Sequence, residues 1–319
     1  MAPVTPPLGW LDWHHRGNAQ HEAHHRAVAA MPVFAAPPVV TPSFPQPLRL
    51  TDAWTHARVV EALGRPFQRW HQLTGSCVGA GAGNCAATVA MLDVLRFGHA
   101  ERLLLPCWLP AYGESRRLAG MHGRGEGSLG STMAVAAVKL GFPDLSAAGL
   151  PTPTEGDGLE YTERVEYDWS DGAAMPDAVR QEALRHPVRT VSPCGSAADV
   201  RAALANGYPC TLAYGYYAGR PRVQGTPPVL VGTLDSRGGH QVSLQGVWDH
   251  PALGPLYLQP NQWPASVYPA DPAGGPPCSC WLPEREVERA CRGGEVYAWS
   301  QYDGYPAQPD VPALLDWRI

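Results

Sequence analysis

The sequence predicts an α+β protein with a helical first half and an antiparallel β-sheet second half. Three observations carry this. Val78, Ala82, Ala86, Val89 and Leu92 recur at three- and four-residue steps, the stripe of one helix face. From about residue 188 the pattern changes to short strand-like runs, of which 211–217 and 239–245 are the clearest. Cys77 stands where a polar, glycine-containing loop (70–76) runs into the predicted helix, while His240 and Asn261 flank strands of the second half.

Composition sets the bounds. With 319 residues, 45% hydrophobic and 17% charged, the chain reads as globular, one large domain or two. A net charge of −5 and the lack of a basic run give no reason to expect nucleic acid. Lys139 is the only lysine. Glycine and proline, 34 each, together exceed a fifth of the chain, so long irregular loops are expected. Residues 1–11 have neither the basic start nor the apolar centre of a signal peptide. No apolar run approaches the roughly 18 residues of a membrane span. The expected location is the cytoplasm or a virus particle, with no membrane partner and no cofactor.

In chain order, residues 1–50 read as an arm rich in proline (Pro32, Pro37, Pro38, Pro42, Pro45, Pro47). Its one helical piece, 19–30, carries His21-Glu22-Ala23-His24-His25, an H-E-x-x-H match. On a short helix stopped by Pro32 this reads as a chance match, and no metal is expected. Trp10, Trp13 and Phe34 need cover, so contacts with neighbouring subunits through residues 1–50 are expected. Residues 51–305 form the domain proper: a helical half (about 65–150), a loop (151–185) and a sheet half (186–305). The helical half holds the Cys77 helix and pieces at 103–117 and 131–140. The loop carries Glu155, Asp157, Glu160, Glu163 and Glu166 and reads as a solvated charge run. In the sheet half His240, Val242 and Leu244 alternate with Gln241, Ser243 and Gln245, which puts the histidine on the apolar side. A strand at 256–258 ends at Pro260, with Asn261 just past it. Cys278, Cys280 and Cys291 lack a fourth ligand at zinc spacing. Residues 306–319 read as a tail.

The chemistry starts from Cys77. At a helix N-terminus the orphan N–H groups and the dipole favour a thiolate, a nucleophile that needs a base and an orienter for the base. His240 supplies the base, and Asn261 accepts from its other N–H. The Cys77 backbone N–H and an upstream amide would hold the oxyanion.

Gly75-Ser76-Cys77, Gly239-His240 and Asn261-x-Trp263, in this order, resemble the papain family of cysteine peptidases. Glu126-Gly127-Ser128 with residues 132–141, and residues 198–209, resemble its bacterial and phage members. The resemblance spans roughly 65–305. It implies a papain-like fold and a peptide or protein substrate. Cys77, His240 and Asn261 would be catalytic, Trp263 would shield the His–Asn bond, and Gly127, Ser128 and Gly239 would line the cleft. The sequence departs from the family in four places. Thr74 stands where secreted relatives carry a half-cystine. His71 stands where they carry the oxyanion glutamine, with Gln72 one residue late. Val78 stands where peptidases usually carry an aromatic. The Cys77 to His240 separation, 163 residues, is long. Gln72 is expected to take the oxyanion role, with His71 turned elsewhere. Two readings follow: a cysteine peptidase, or a papain fold used structurally in a phage or virus particle. A peptidoglycan amidase with a Cys-His pair is a third.

Overall fold

The computed structural model describes residues 18–37, 43–98, 103–121, 125–171, 175–215, 221–234, 239–293, 295–308 and 311–315. Trp10, Trp13, Pro38, Pro42, Tyr216 and Tyr217 lie outside them. The helical half contains α1 (Asn18–Ala29), strand β1 (Leu48–Arg49), α2 (Ala57–Leu63), α3 (Cys77–Phe97), α4 (Leu109–Leu118) and α5 (Gly130–Lys139).

Helix α3 is the axis of the fold. Every residue from Cys77 to Val89 is buried, so the expected apolar stripe is in fact buried all round. Its glycines and alanines let neighbours close in: a Cβ on Gly79 would come within 2.5 Å of Trp108, and one on Gly81 within 3.0 Å of Gln262 Nε2. By length and composition alone α3 is apolar enough to cross a membrane, but most of it is buried inside the protein. Here it lies in the protein core.

The acidic stretch 151–185 keeps Glu155, Asp157 and Glu163 exposed, as its charge run suggests, but it buries Glu166 and is not an irregular loop. It folds into a hairpin, β2 (Thr154–Glu155) and β3 (Leu159–Glu160), then α6 (Glu163–Ser170) and α7 (Asp177–Ala183). Thr162 caps α6 by accepting from Val165 N, and Glu163 and Glu166 lie in the first turn, where the helix dipole favours carboxylates.

The second half supplies β4 (Thr190–Pro193), α8 (Ala197–Ala205), β5 (Cys210–Gly215), β6 (Arg222–Gln224), β7 (Val229–Val231), β8 (Gly239–Leu244), β9 (Gly246–His250) and β10 (Gly254–Pro260). β11 (Ser279–Pro283), α9 (Glu284–Gly293), β12 (Val296–Ser300) and α10 (Val311–Leu315) follow. One sheet runs β1-β9-β10-β11-β7-β6, the other β4-β12-β5-β8. The pairs are antiparallel except β11 with β7. β8 is the edge strand that lies along α3, and His240 pairs with Tyr214 of β5. Both faces of β8 are buried, Gln241, Ser243 and Gln245 as well as His240, Val242 and Leu244. Its alternation therefore separates two buried surroundings, and the glutamines face α3. Gln241 Nε2 donates to Val78 O at 3.2 Å and Gln245 Nε2 to Asn84 O at 3.4 Å.

The described part of the arm makes these contacts with the domain. α1 packs on α5, Phe34 meets Tyr305 edge-on at 4.8 Å, and Phe44 N donates to Asp249 at 2.7 Å. In the stretch read as a tail, Val311 and Leu315 are buried.

Candidate active site

Cys77 is the first residue of α3, and the turn before it is held by carboxylates. A serine at a helix N-cap ordinarily caps with its own hydroxyl, but Ser76 Oγ donates instead to Glu166 Oε2 at 2.7 Å. The same carboxylate accepts from Leu73 N at 3.0 Å, Thr74 N at 2.9 Å and Thr74 Oγ1 at 2.6 Å. Glu166 has no exposed surface. Burial pushes its carboxyl up from the usual range, and the bonds from Thr74 and Ser76 pull it back. Glu126, on the loop before α5, takes the Gly75 N–H and the Tyr167 hydroxyl. Tyr112 OH then donates to Gly75 O at 3.0 Å and accepts from Gly127 N at 3.2 Å. The backbone N–H groups of Leu73, Thr74 and Gly75 thus all end on acidic side chains.

The sulfur of Cys77 lies against β8, where Gln241 N donates to it at 3.3 Å, one residue beyond His240. His240 Nε2 is 2.9 Å from Asn261 Oδ1. That oxygen also accepts from Gln262 N at 2.8 Å, and Asn261 Nδ2 donates to Tyr268 OH at 3.1 Å. A backbone N–H can only donate, so the amide orientation follows: Oδ1 accepts, His240 Nε2 carries a hydrogen, and Nδ1 is the basic nitrogen of the neutral ring. Trp263 stacks on the imidazole, centroids 4.5 Å apart and planes 16° apart. Burial pushes His240 down to about 4, opposed by the Asn261 bond.

The segment carrying Asn261 is tied down from the other side of the Cys77 turn. Asn261 O accepts from Arg69 Nε at 2.9 Å, Gln262 O from Gln72 N at 3.0 Å, and Trp263 O from Arg69 Nη2 at 2.8 Å. Gln262 Nε2 spans the junction, donating to Cys77 O at 3.0 Å and Gln241 O at 2.6 Å. Sequence reasoning missed Arg69, Glu166, Gln241 and Gln262. The available signal was small: an amide where the Asn-x-Trp pattern leaves its middle residue open, and an arginine between Phe67 and Trp70.

The other expected residues fall as follows. Gln72 Nε2 donates to Thr74 O at 3.0 Å, inside its own turn. His71 is buried and turned toward the β2–β3 hairpin, its Nδ1 3.5 Å from Asp157 and 3.8 Å from Glu160. Burial first and Arg69 second push it down to about 4, against Asp157. Ser128, expected to line the cleft, has no exposed surface, and its hydroxyl lies 2.7 Å from Ser115 Oγ. Gly127 stands beside it with its carbonyl on Arg116 Nη1 at 2.6 Å, and Gly239 is partly exposed at the start of β8. In the H-E-x-x-H stretch, His21 Nε2 and His25 Nε2 are 2.9 Å apart on an exposed face, while His24 turns inward to Glu295 at 2.9 Å. Among the described residues no three His, Cys, Asp or Glu side chains gather as metal ligands. All eight cysteines are buried free thiols.

No protein-family model matches the chain, and no curated protein does. Solved structures do. Xylellain, a cysteine protease from Xylella fastidiosa, superposes with a TM-score of 0.60 over 92% of this chain and 96% of its own, at 15% identity. Digestive procathepsin L 3 of the Tenebrio molitor larval midgut gives a TM-score of 0.53 over 88% of this chain and 79% of its own, at 10% identity. The fold is papain-like.

Proposed function

We propose that this papain-fold chain is a cysteine peptidase acting through Cys77, His240 and Asn261 on peptides or proteins. The observation that carries the reading is the His240 Nε2–H to Asn261 Oδ1 bond under the Trp263 face, on the strand that touches the Cys77 sulfur. His240 Nδ1 takes the thiol proton. The Cys77 sulfur forms a bond to the substrate carbonyl carbon, and the carbonyl electron pair moves onto oxygen beside the Cys77 N–H. The second donor would be the other hydrogen of Gln72 Nε2, whose first is given to Thr74 O. The imidazolium then protonates the leaving nitrogen, the C–N bond breaks and a thioester remains. A water gives its proton to His240, attacks the thioester and releases the acid and the thiol.

The alternative, a papain fold used structurally in a particle, has one observation on its side: Cys77 has no exposed surface and His240 only 1%. Iodoacetamide labelling of the native protein with peptide mapping, beside hydrolysis of a mixed peptide library, tests both. Burial pushes Cys85, Cys107 (about 11), Cys194, Cys210, Cys278 (about 12) and Cys291 up, so these stay thiols at neutral pH. Cys77 should label selectively, and H240A should slow it about 10²-fold or more. Labelling of Cys77 no faster than of those six would overturn the reading. Selective labelling without hydrolysis would favour the structural role.

A further inference from the structure

The three consecutive carbonyls of Asn261, Gln262 and Trp263 all accept from the segment 69–72, and two of the three go to one guanidinium. We propose that Arg69 is a positioning residue for the His240–Asn261 pair. This rests on the peptidase reading for the pair's role, not for its geometry. Arg69 is 3% exposed and touches neither His240 nor Cys77 in any hydrogen bond described above. It acts through backbone. Its Nε and Nη2 are fixed in one plane, so gripping the carbonyls on either side of Gln262 sets the tilt of the peptide units between them. That tilt aims the Asn261 amide at His240 Nε2 and the Trp263 ring at the imidazole face. A lysine, with one nitrogen on a flexible stem, can meet one carbonyl but cannot set the plane.

Arg69 also lines a cavity of about 390 Å³, with Thr51, Trp54, Phe67, Asp157 and Pro276. A truncated side chain would therefore leave a hole that opens into this space, large enough for a free guanidinium ion. Asp157, whose carboxylate receives the Ala265 N–H at 2.5 Å, stands on the same rim and would attract that ion.

The test uses R69A, R69K and R69M in the full chain, with two readouts. The first is the rate of Cys77 alkylation across pH. The second is the exchange lifetime of the His240 Nε2–H proton by NMR, which needs no chemistry at the thiol. R69A and R69M should slow alkylation about 10²-fold, because an orienting error of about 1 Å costs that much. Both should lose the slowly exchanging imidazole proton. R69K should lie between. Millimolar guanidinium, below denaturing concentration, should restore the R69A proton lifetime and rate but leave R69M, whose side chain fills the hole, unchanged. Folded variants with wild-type proton lifetimes would overturn the proposal. So would loss in proportion to the unfolded fraction, with no guanidinium rescue. A wild type with a long-lived imidazole proton and an inert Cys77 would instead overturn the peptidase reading and leave the positioning role standing.

Discussion

The two turns that meet over Cys77 are satisfied in opposite senses. Residues 73–76 present donors (three N–H groups and two hydroxyls) and are met by two carboxylates, Glu166 and Glu126. Residues 261–263 present three carbonyls and are met by a guanidinium and an N–H. Buried backbone groups require partners, and the polarity each turn exposes decides which side chain comes to it from elsewhere. On the proposed peptidase reading Glu166, beneath the Cys77 turn, cannot favour a negative sulfur, which leaves the start of α3 and the protonated imidazole to do so.

The comparison breaks most visibly at Glu166. Orphaned buried N–H groups are rarer in proteins than under-satisfied carbonyls, which keep a second lone pair. Removing Glu166 strips the acceptor from two N–H groups and two hydroxyls, whereas removing Arg69 strips donors from two carbonyls. E166A should therefore cost about 3 kcal/mol or more, and R69M clearly less, in the denaturant midpoint at constant slope. E166Q should fall between, since its oxygen can accept but its NH₂ would face donors. Equal costs for E166A and R69M would show that donor and acceptor turns are equally tolerant here.

Next in size is the response to acid. His71 and His240 both have native values pushed down to about 4, from an ordinary value near 6.5, by burial. Between those limits the unfolded chain binds the protons and the native chain does not. Each histidine therefore contributes stability that is fully present above about 6.5 and is lost as pH falls toward 4, roughly 3 kcal/mol apiece. Glu166, with its value raised, acts in the opposite sense and offsets part of this. H71N should remove about half of the histidine slope in midpoint against pH. An unchanged slope would place the acid sensitivity elsewhere.

The legibility of the chain follows the same division. α3, β8 and β10 were readable because local periodicity carries them, and Asn261 was placed correctly just past the strand ending at Pro260. The short helix resembling 198–209 appears as α8 (Ala197–Ala205). Glu166 was not readable. Nothing in an acidic run marks which carboxylate is buried, because the donors that claim it lie some ninety residues upstream. The same holds for Arg69, whose carbonyl partners lie near residue 262. The alternation in β8 was real and keeps His240 on the side of Val242 and Leu244, but the polar face is buried as well, because a helix of small residues offers its carbonyls to glutamines. The single stripe expected on α3 failed for a related reason, since alanine and glycine carry little pattern yet allow contact on every side.

The finest probe of the comparison is Glu126, the half-buried member of the carboxylate pair. Its two oxygens bridge Gly75 N of the Cys77 turn to the hydroxyl of Tyr167 on α6. Tyr167 is 47% exposed, so this bond should add little to stability, and E126Q should shift the folding free energy by only about 0.5 kcal/mol. The tyrosine reports the contact even so. Its hydroxyl is pushed up to about 12, first by the bond to Glu126 and then by burial and the surrounding carboxylates Glu163 and Glu166. A tyrosine donating to a carboxylate resists losing its proton, because ionisation would set two negative oxygens against each other. Replacing Glu126 by the neutral amide removes the first cause and leaves the lesser ones. Ultraviolet titration of Tyr167 against a Y167F blank should therefore show its midpoint falling toward the ordinary value near 10 in E126Q, with the denaturant midpoint nearly unchanged. A midpoint that stays near 12 would mean that Glu126 is turned to solvent, leaving Glu166 as the one carboxylate on the donor turn.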